Sequence, residues 1–522
     1  MLIASNFTTR LDTQFEGYCF HGNDYIAEFA GYAWFRQATG KDIGPGLDGC
    51  YTVARWVGET YEIGVDSRGL AKLFVYRDGI YWAVGSSLHG LVRYLREKGR
   101  TLTPRPIIFD AFLLPGTFAQ QLMSACTMFE EIDLVPSNMY LTITAGILSR
   151  RRVPAIQTTG SYEEDLATYI ATWKSRTKAL LQDGRARFAV DLSGGLDSRV
   201  GFSFVVGSEG FDPGDSRFRF VSNARASRDF AIAQQAADRY GVSLNGPQLV
   251  RARPWASAEV ALERWREHCL GTYTPVYFHS QAFDPLLVKV HGAGGESFRF
   301  TYSSPNLRDR MRPYQAHLER KKYRELVELI CRKNHFVEKS NPAIHPLSAQ
   351  FREFRNRFHF GYAPHARATL SPLNSGLLDP VTDREAVDPI SVYHDIYDSL
   401  APGLKMIPFD NPKKEPRVAE VSAAARNASD VQAPAGSVYA IEDAAPEMAR
   451  QGGSPYREWL DDARRVLADV DLTDVLESKR VQELNDHLRE CEAQLPKRPG
   501  PNSPELKGLS VVISAGFALS AV

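Results

Sequence analysis

The sequence predicts an α/β protein, with a β-rich sandwich at its N-terminal end and a larger, doubly wound parallel sheet behind it. Three observations carry this. Up to about Val153 the chain holds short, alternating apolar runs separated by Gly, Asp and Arg turn residues. From Arg187 onward, apolar runs alternate with helical stretches in the βαβα order that a parallel sheet requires. Between the two regimes stands RFAVDLSGGLDSRV, Arg187 to Val200, where an apolar strand breaks into a glycine turn and a helix start. A chain of 522 residues has room for two or three domains. The expected division is 1–155 and 156–522, with 417–453 as a mobile linker.

Composition narrows the function classes. Lys plus Arg and Asp plus Glu both total 62, so nothing in the overall charge draws the chain to nucleic acid or an anionic membrane. The six cysteines are scattered, with no CxxC pair and no metal-ligand spacing, which predicts free buried thiols in a reducing compartment. MLIASNFTTR lacks the basic and long apolar regions of a signal peptide, and GLSVVISAGFALSAV is too short to span a bilayer. A cytoplasmic protein with no membrane partner is the expectation.

In the first part, strands are expected at Cys50–Trp56, Tyr61–Asp66, Leu73–Tyr76 and Ile80–Gly85, in sheets packed face to face. Thr158 to Gln182 reads as a linker followed by an amphipathic helix. Ser161 is placed as its N-cap, Glu163 and Glu164 favour the dipole, and Leu166, Tyr169, Ile170, Trp173 and Leu180 form the apolar face. A strand then enters the Ser193–Ser198 turn, and its helix ends near Gly207. A second strand begins at Phe218, and a helix runs from Ser227 to Tyr240, stopped by Gly241.

The Ser193–Ser198 turn suits a phosphate. Gly194 and Gly195 let backbone N–H groups approach an anion, and the helix N-terminus behind them adds a favourable dipole. Ser193 and Ser198 can donate hydroxyls, and Asp197 can hold a Mg²⁺ bridging to phosphate oxygens. In a parallel sheet ligands sit at the carboxyl ends of the strands. Backbone at Val221 and Ser222 is therefore placed to meet an adenine, although Val221 serves equally well as core. A third apolar run, LLVKV from Leu286, leads into a second glycine turn, HGAGGESFRFTY. The ERKK run at Glu319 reads as a solvated helix face rather than a basic patch for an acidic peptide. Arg417 to Gly453 shows little apolar periodicity, Tyr456 to Leu495 is amphipathic helix, and the apolar C-terminal segment is expected to dock on the second domain.

The string LSGGLDS resembles the PP-loop of ATP pyrophosphatases in the form found in the asparagine synthetase superfamily; it is not a Walker loop, because no Gly-Lys-Ser/Thr follows. The stretch from Leu47, LDGCYTVARWVGETYEIGVDSRG and onward, and EEIDLVPSNMYLTITAG from Glu130, resemble the glutaminase-like N-terminal domain of the same superfamily. The resemblance implies a glutaminase-like sandwich joined to a PP-loop domain of the adenine nucleotide alpha hydrolase-like type. It also implies an ATP-binding set of Leu192, Ser193, Gly194, Gly195, Asp197, Ser198, Val221, Ser222, Gly292 and Gly294. Against the family pattern G-x-G-x-D-E, Gly292 and Gly294 match, Ala293 takes the position of a catalytic Glu or Tyr, and Glu296 takes that of the second Mg²⁺ ligand after Asp197. Either a neighbour such as His291 or Tyr302 acts for Ala293, or no base is needed there. Arg299 is a candidate for fixing a phosphate or a substrate carboxylate. The family places substrate contacts in a segment matching Phe358 to Asp379, and a lysine that reaches the adenylate. Lys414 is the best match for it and Lys413 the runner-up, without the Arg that precedes it in the family.

The family's glutaminase nucleophile is a cysteine exposed after Met removal, but position two here is Leu2, and Cys19 is internal. The chain is thus closest in kind to β-lactam synthetase, carbapenam synthetase and the lasso-peptide cyclases. The expectation is an AMP-forming carbon–nitrogen ligase that uses ATP and Mg²⁺ to adenylate a small-molecule or peptide carboxylate and joins it to an amine, with a lactam or a cyclised peptide as one product class. Ammonia-dependent amidation of an amino acid or uronic acid is the alternative, and a non-catalytic ATP-binding scaffold is the rival from another class. A second copy of the chain or a precursor peptide joins the expected partners.

Overall fold

The computed structural model describes residues 2–7, 11–247, 256–279, 283–299, 304–333, 344–362, 365, 367–384, 387–416, 421–441, 454–495 and 499–520. It is a mixed α/β structure with three sheets. Strands β1 (Ile3–Ser5), β2 (Gln14–His21), β3 (Asp24–Ala27), β4 (Asp48–Val57), β5 (Thr60–Val65), β6 (Phe74–Asp78), β7 (Tyr81–Gly85), β8 (Ile132–Leu134), β9 (Met139–Thr144) and β10 (Ile147–Arg152) make up the N-terminal part. The order β1-β7-β6-β8 forms an antiparallel four-stranded sheet. A seven-stranded sheet runs β10-β9-β5-β4-β2-β3 and ends on β15 (Val438–Tyr439), which pairs parallel to β3. The four strands expected near Cys50, Tyr61, Leu73 and Ile80 are all present.

The third sheet is parallel throughout, in the order β12-β11-β13-β14, from β11 (Arg187–Asp191), β12 (Phe218–Val221), β13 (Leu287–Val290) and β14 (Thr369–Leu370). The helix Tyr162–Gln182 leads into it. Ser161 caps that helix by accepting from the Glu164 N–H at 3.1 Å, while Leu166, Tyr169, Ile170, Trp173 and Leu180 are buried. One hydrophobic core joins this sheet to the seven-stranded one: Phe188, Val190, Val288 and Val290 belong to the same cluster as Tyr18, Phe20, Ala54 and Ile63. At their junction the buried Asp48 accepts from Arg176 at 2.7 Å, from the Ser375 hydroxyl at 2.6 Å and from the Gly376 N–H at 2.7 Å. Burial opposes the Asp48 charge, but Arg176 and these donors outweigh it and hold the carboxyl below its ordinary range.

Four expectations need correction. The C-terminal apolar segment forms the helix Pro504–Leu519, but it packs on the N-terminal part. It shares a core with β6, β7 and the helix Pro106–Leu113, and Arg96 donates to the Phe517 carbonyl at 2.8 Å. The helix Ala258–Cys269 lies in that core too, so a boundary at 155 does not separate the chain in space. Tyr456 to Leu495 is two helices, Pro455–Asp469 and Ser478–Ala493, broken at Leu472–Asp474. Within the expected mobile linker, residues 421–441 hold the helix Ala423–Asp430, docked on Tyr162–Gln182 with Ala424, Ala425 and Ala428 buried, followed by β15; residues 417–420 and 442–453 lie outside the described ones. In the basic run, Glu319, Arg320 and Lys321 are exposed, as expected of a solvated face, and the partly exposed Lys322 reaches Asp110 at 2.9 Å and Glu477 at 2.7 Å. Cys19 is fully buried, and burial pushes its thiol far up, as suits a core residue. Among the described residues, no helix is long and apolar enough to cross a membrane.

Candidate active site

At the carboxyl end of β11 the Leu192 N–H donates to the Val221 carbonyl at 2.9 Å, the last rung before the chain turns. Ser193, Gly194 and Gly195 make the turn, and the helix Leu196–Val206 begins at once, ending at Gly207. The two serines lock the loop. Their hydroxyls lie 2.7 Å apart, the Ser193 N–H donates to Ser198 Oγ at 3.0 Å, and the Gly195 N–H donates to Ser193 Oγ at 3.1 Å. The Gly194 N–H donates to Asp229 Oδ1 at 2.7 Å, so a carboxylate oxygen rests on the donor that an anionic ligand would use.

The second glycine turn closes on the first because it has no side chains in the way. A Cβ on Gly292 would overlap the Asp197 backbone, and one on Gly295 would overlap Asp197 Oδ1 and the Tyr393 hydroxyl. Gly294 has φ +98°, in the left-handed region, and a Cβ there would fall 2.7 Å from the Asn374 backbone. Asp197 is thereby clamped. The Tyr393 hydroxyl donates to Oδ1 at 2.5 Å, and the Arg299 guanidinium donates to Oδ2 at 2.5 Å. Glu296, half-buried in the turn, has its carboxyl pushed up by burial and by the nearby Asp197.

Between the loops lies a cleft of about 510 Å³. Of the residues singled out from sequence, Leu192, Ser193, Gly195, Asp197, Ser198, Val221, Ser222, Gly292 and Glu296 line it, with Asn223, His291 and Phe360 beside them. Gly194, Gly294 and Arg299 stand next to it through the contacts just described. Ala293 also lines the cleft and offers only a methyl group. His291 is held neutral, since burial pushes its value down to about 4. The Ala293 N–H donates to its Nδ1 at 2.8 Å, which leaves the imidazole proton on Nε2. Tyr302, the other candidate to act for Ala293, lies outside the described residues. Of the substrate segment Phe358–Asp379, Phe360 borders the cleft, whereas Asp379 is paired with Arg68 at 2.8 Å.

The two lysine candidates separate cleanly. Lys414 Nζ lies 2.8 and 2.9 Å from the two Asp410 oxygens and 3.8 Å from where a Cβ on Gly195 would stand, while Lys413 is exposed. Asp229, Tyr393 and Asp410 were not anticipated. Asp229 alone carries a local signal, an acidic residue in the first turn of the helix Ser227–Arg239.

Among the described residues, no group of three or more His, Cys, Asp and Glu side chains gathers as a metal site. Asp197 and Glu296 bring carboxylates, the donor type through which Mg²⁺ binds alongside phosphate and water oxygens, to facing loops, and Tyr393 and Arg299 already engage both Asp197 oxygens. No protein-family model matches the chain, and a search of curated proteins finds no match either.

Proposed function

We propose that the protein is an ATP-dependent, AMP-forming carbon–nitrogen ligase of the asparagine synthetase kind: a degenerate glutaminase-like sandwich joined to a PP-loop domain. The observation that supports this reading is that the Ser193–Ser198 loop and the Gly292–Glu296 turn, far apart in sequence, line one cleft, with Lys414 Nζ held behind the loop, 3.8 Å from where a Cβ on Gly195 would stand. A phosphate-binding turn by itself is common. One faced by a second glycine turn that brings an acidic residue, with a lysine held beside it, has the parts that nucleotide chemistry needs.

In this reading a substrate carboxylate oxygen attacks the α-phosphorus of ATP, the bond to the β-phosphate breaks, and pyrophosphate leaves. An amine then attacks the acyl carbon, the bond from that carbon to the AMP oxygen breaks, AMP departs, and the amine's surplus proton passes to solvent. In this reading the departing pyrophosphate takes the place of Asp229 on the Gly194 N–H and of Ser193 Oγ on the Gly195 N–H, and Val221 and Ser222 meet the adenine. Lys414 offsets the negative charge that builds on the phosphorus, as a cation already fixed in place. Mg²⁺ arriving with the nucleotide would be held by Asp197 and Glu296 and would neutralise phosphate charge. His291, neutral and protonated on Nε2, presents a hydrogen-bond donor rather than a base. Closing carboxylate and amine into one cleft supplies orientation. The amine is free ammonia or part of the substrate, and an internal amine makes the product a lactam or a macrocycle.

The test is pyrophosphate release from ATP and Mg²⁺ over a panel of carboxylates, with and without ammonium, comparing the wild type with Asp197→Ala. Release that depends on the carboxylate and disappears in the variant supports the reading. Ammonium dependence then separates amidation from an internal amine. A second reading, a non-catalytic nucleotide-binding protein, is favoured by the inert Ala293 in the cleft wall; it expects ATP binding with no turnover on any carboxylate.

A further inference from the structure

Both oxygens of Asp197 already have partners inside the chain. Tyr393 donates to Oδ1, and Arg299 forms an ion pair with Oδ2 at 2.5 Å while its guanidinium lies 5.5 Å from the centre of the Tyr393 ring. Arg299 follows Glu296 by three residues on the same turn, so one short segment supplies both an acid and a positive charge to this corner of the cleft. A guanidinium and a divalent cation cannot share a carboxylate oxygen without strong repulsion. With no third acidic, His or Cys group gathered there among the described residues, a free hydrated cation would meet one paired carboxylate and one other.

We propose that Arg299 is a resident counter-cation. It keeps free divalent metal out of the cleft and yields Asp197 only to metal carried on a polyphosphate, whose oxygens then receive the guanidinium in a charge-assisted, bidentate contact. Metal and nucleotide therefore enter as a single ligand. The nucleotide half rests on the function proposed above; the exclusion of free metal does not, and it is testable without any nucleotide.

The experiment counts bound Mn²⁺ by electron paramagnetic resonance on the full chain without nucleotide. The wild type is expected to hold Mn²⁺ only weakly. Arg299→Met is expected to bind one Mn²⁺ at least tenfold more tightly, and adding Asp197→Asn to it abolishes the gain. Arg299→Lys, which keeps the charge, stays near the wild type. A folded Arg299→Met protein that binds Mn²⁺ no better than the wild type overturns the proposal. Should that variant fail to fold, the wild type decides. Its Mn²⁺ affinity is expected to rise at least tenfold with a non-hydrolysable ATP analogue, and a tight site of equal strength with and without the analogue overturns the proposal. Calorimetry showing no binding of the analogue is failure of the functional reading instead, and the nucleotide-free comparison of the variants still judges Arg299.

Discussion

Asp410 holds Lys414 and the glycine loop together: its carboxylate oxygens lie 2.8 and 2.9 Å from the lysine Nζ, and its backbone N–H donates to the Gly194 carbonyl at 3.0 Å. One residue thus ties the position of the cation to the position of the anion-binding turn. The two cannot drift apart without breaking both contacts.

If Lys414 meets the phosphates, Lys414→Met weakens MgATP binding by about 10- to 100-fold, the worth of one charge-assisted hydrogen bond. The exposed neighbour gives the control, with Lys413→Met expected within about twofold of the wild type. Isothermal titration of the two variants checks this. Equal losses would remove the distinction between the lysines.

The close approach of the two glycine turns makes Gly295→Ala costly. The new methyl would overlap Asp197 Oδ1 and the Tyr393 hydroxyl, and relieving that overlap means pushing the turns apart. A destabilisation of about 1–3 kcal/mol, typical of an added methyl in a packed site, is expected in urea unfolding, together with loss of nucleotide binding. Gly184→Ala, where a Cβ would meet nothing within 4 Å, serves as the reference and should change little.

Arg176 and Asp48 are only 5% and 7% exposed, so truncating one strands the other. Arg176→Met is expected to cost about 3–5 kcal/mol in unfolding free energy. The folded Asp48 carboxyl titrates below its ordinary value of 3.8. Its contribution is therefore complete above that value and disappears as pH falls through the folded value. Melting at pH 7 and pH 3 should differ more for the wild type than for Asp48→Asn.

His279, His291 and His359 are each pushed by burial from 6.5 to about 4. Between those values the unfolded chain takes up protons that the folded chain refuses, so acid favours unfolding. Stability is full above about pH 6.5 and declines toward pH 4, by up to ~1.4 kcal/mol per pH unit for each histidine. Urea unfolding across this window measures the slope, and His279→Gln is expected to flatten it.

What could be read from the sequence was what local chemistry announces. The alternation of β4 to β7, the Ser161 cap and the strand–glycine–helix junction at Asp191 to Leu196 are all legible within a dozen residues. Strand β2 was not, because apart from the exposed Glu16 it puts apolar residues on both faces: Phe15 and Cys19 enter one core cluster, while Tyr18 and Phe20 enter another. Such a strand has no polar alternation to betray it. In the site, the glycine turns and Lys414 were legible as motifs, but Tyr393 on Asp197 and Asp410 on Lys414 are contacts between elements and leave no local trace. The docking of Pro504–Leu519 was misread for a similar reason, since an apolar helix says that it will be buried but not against what.

Strand β15 closes the edge of a sheet whose other members all lie before residue 153, and Val438 and Tyr439 pair with Tyr25 and Ile26. Tyr439 meets Phe35 and Trp34 edge-on at 5.3 and 5.2 Å, and its carbonyl comes so close to Gly31 that a side chain there would collide. As the polypeptide leaves the ribosome, more than four hundred residues must follow β3 before this partner exists. Until then the β3 edge stands open, a template for any passing strand. Of the three sheets, the seven-stranded one is the last to be completed, and the nascent chain carries an unsealed edge over all the residues made between β3 and β15.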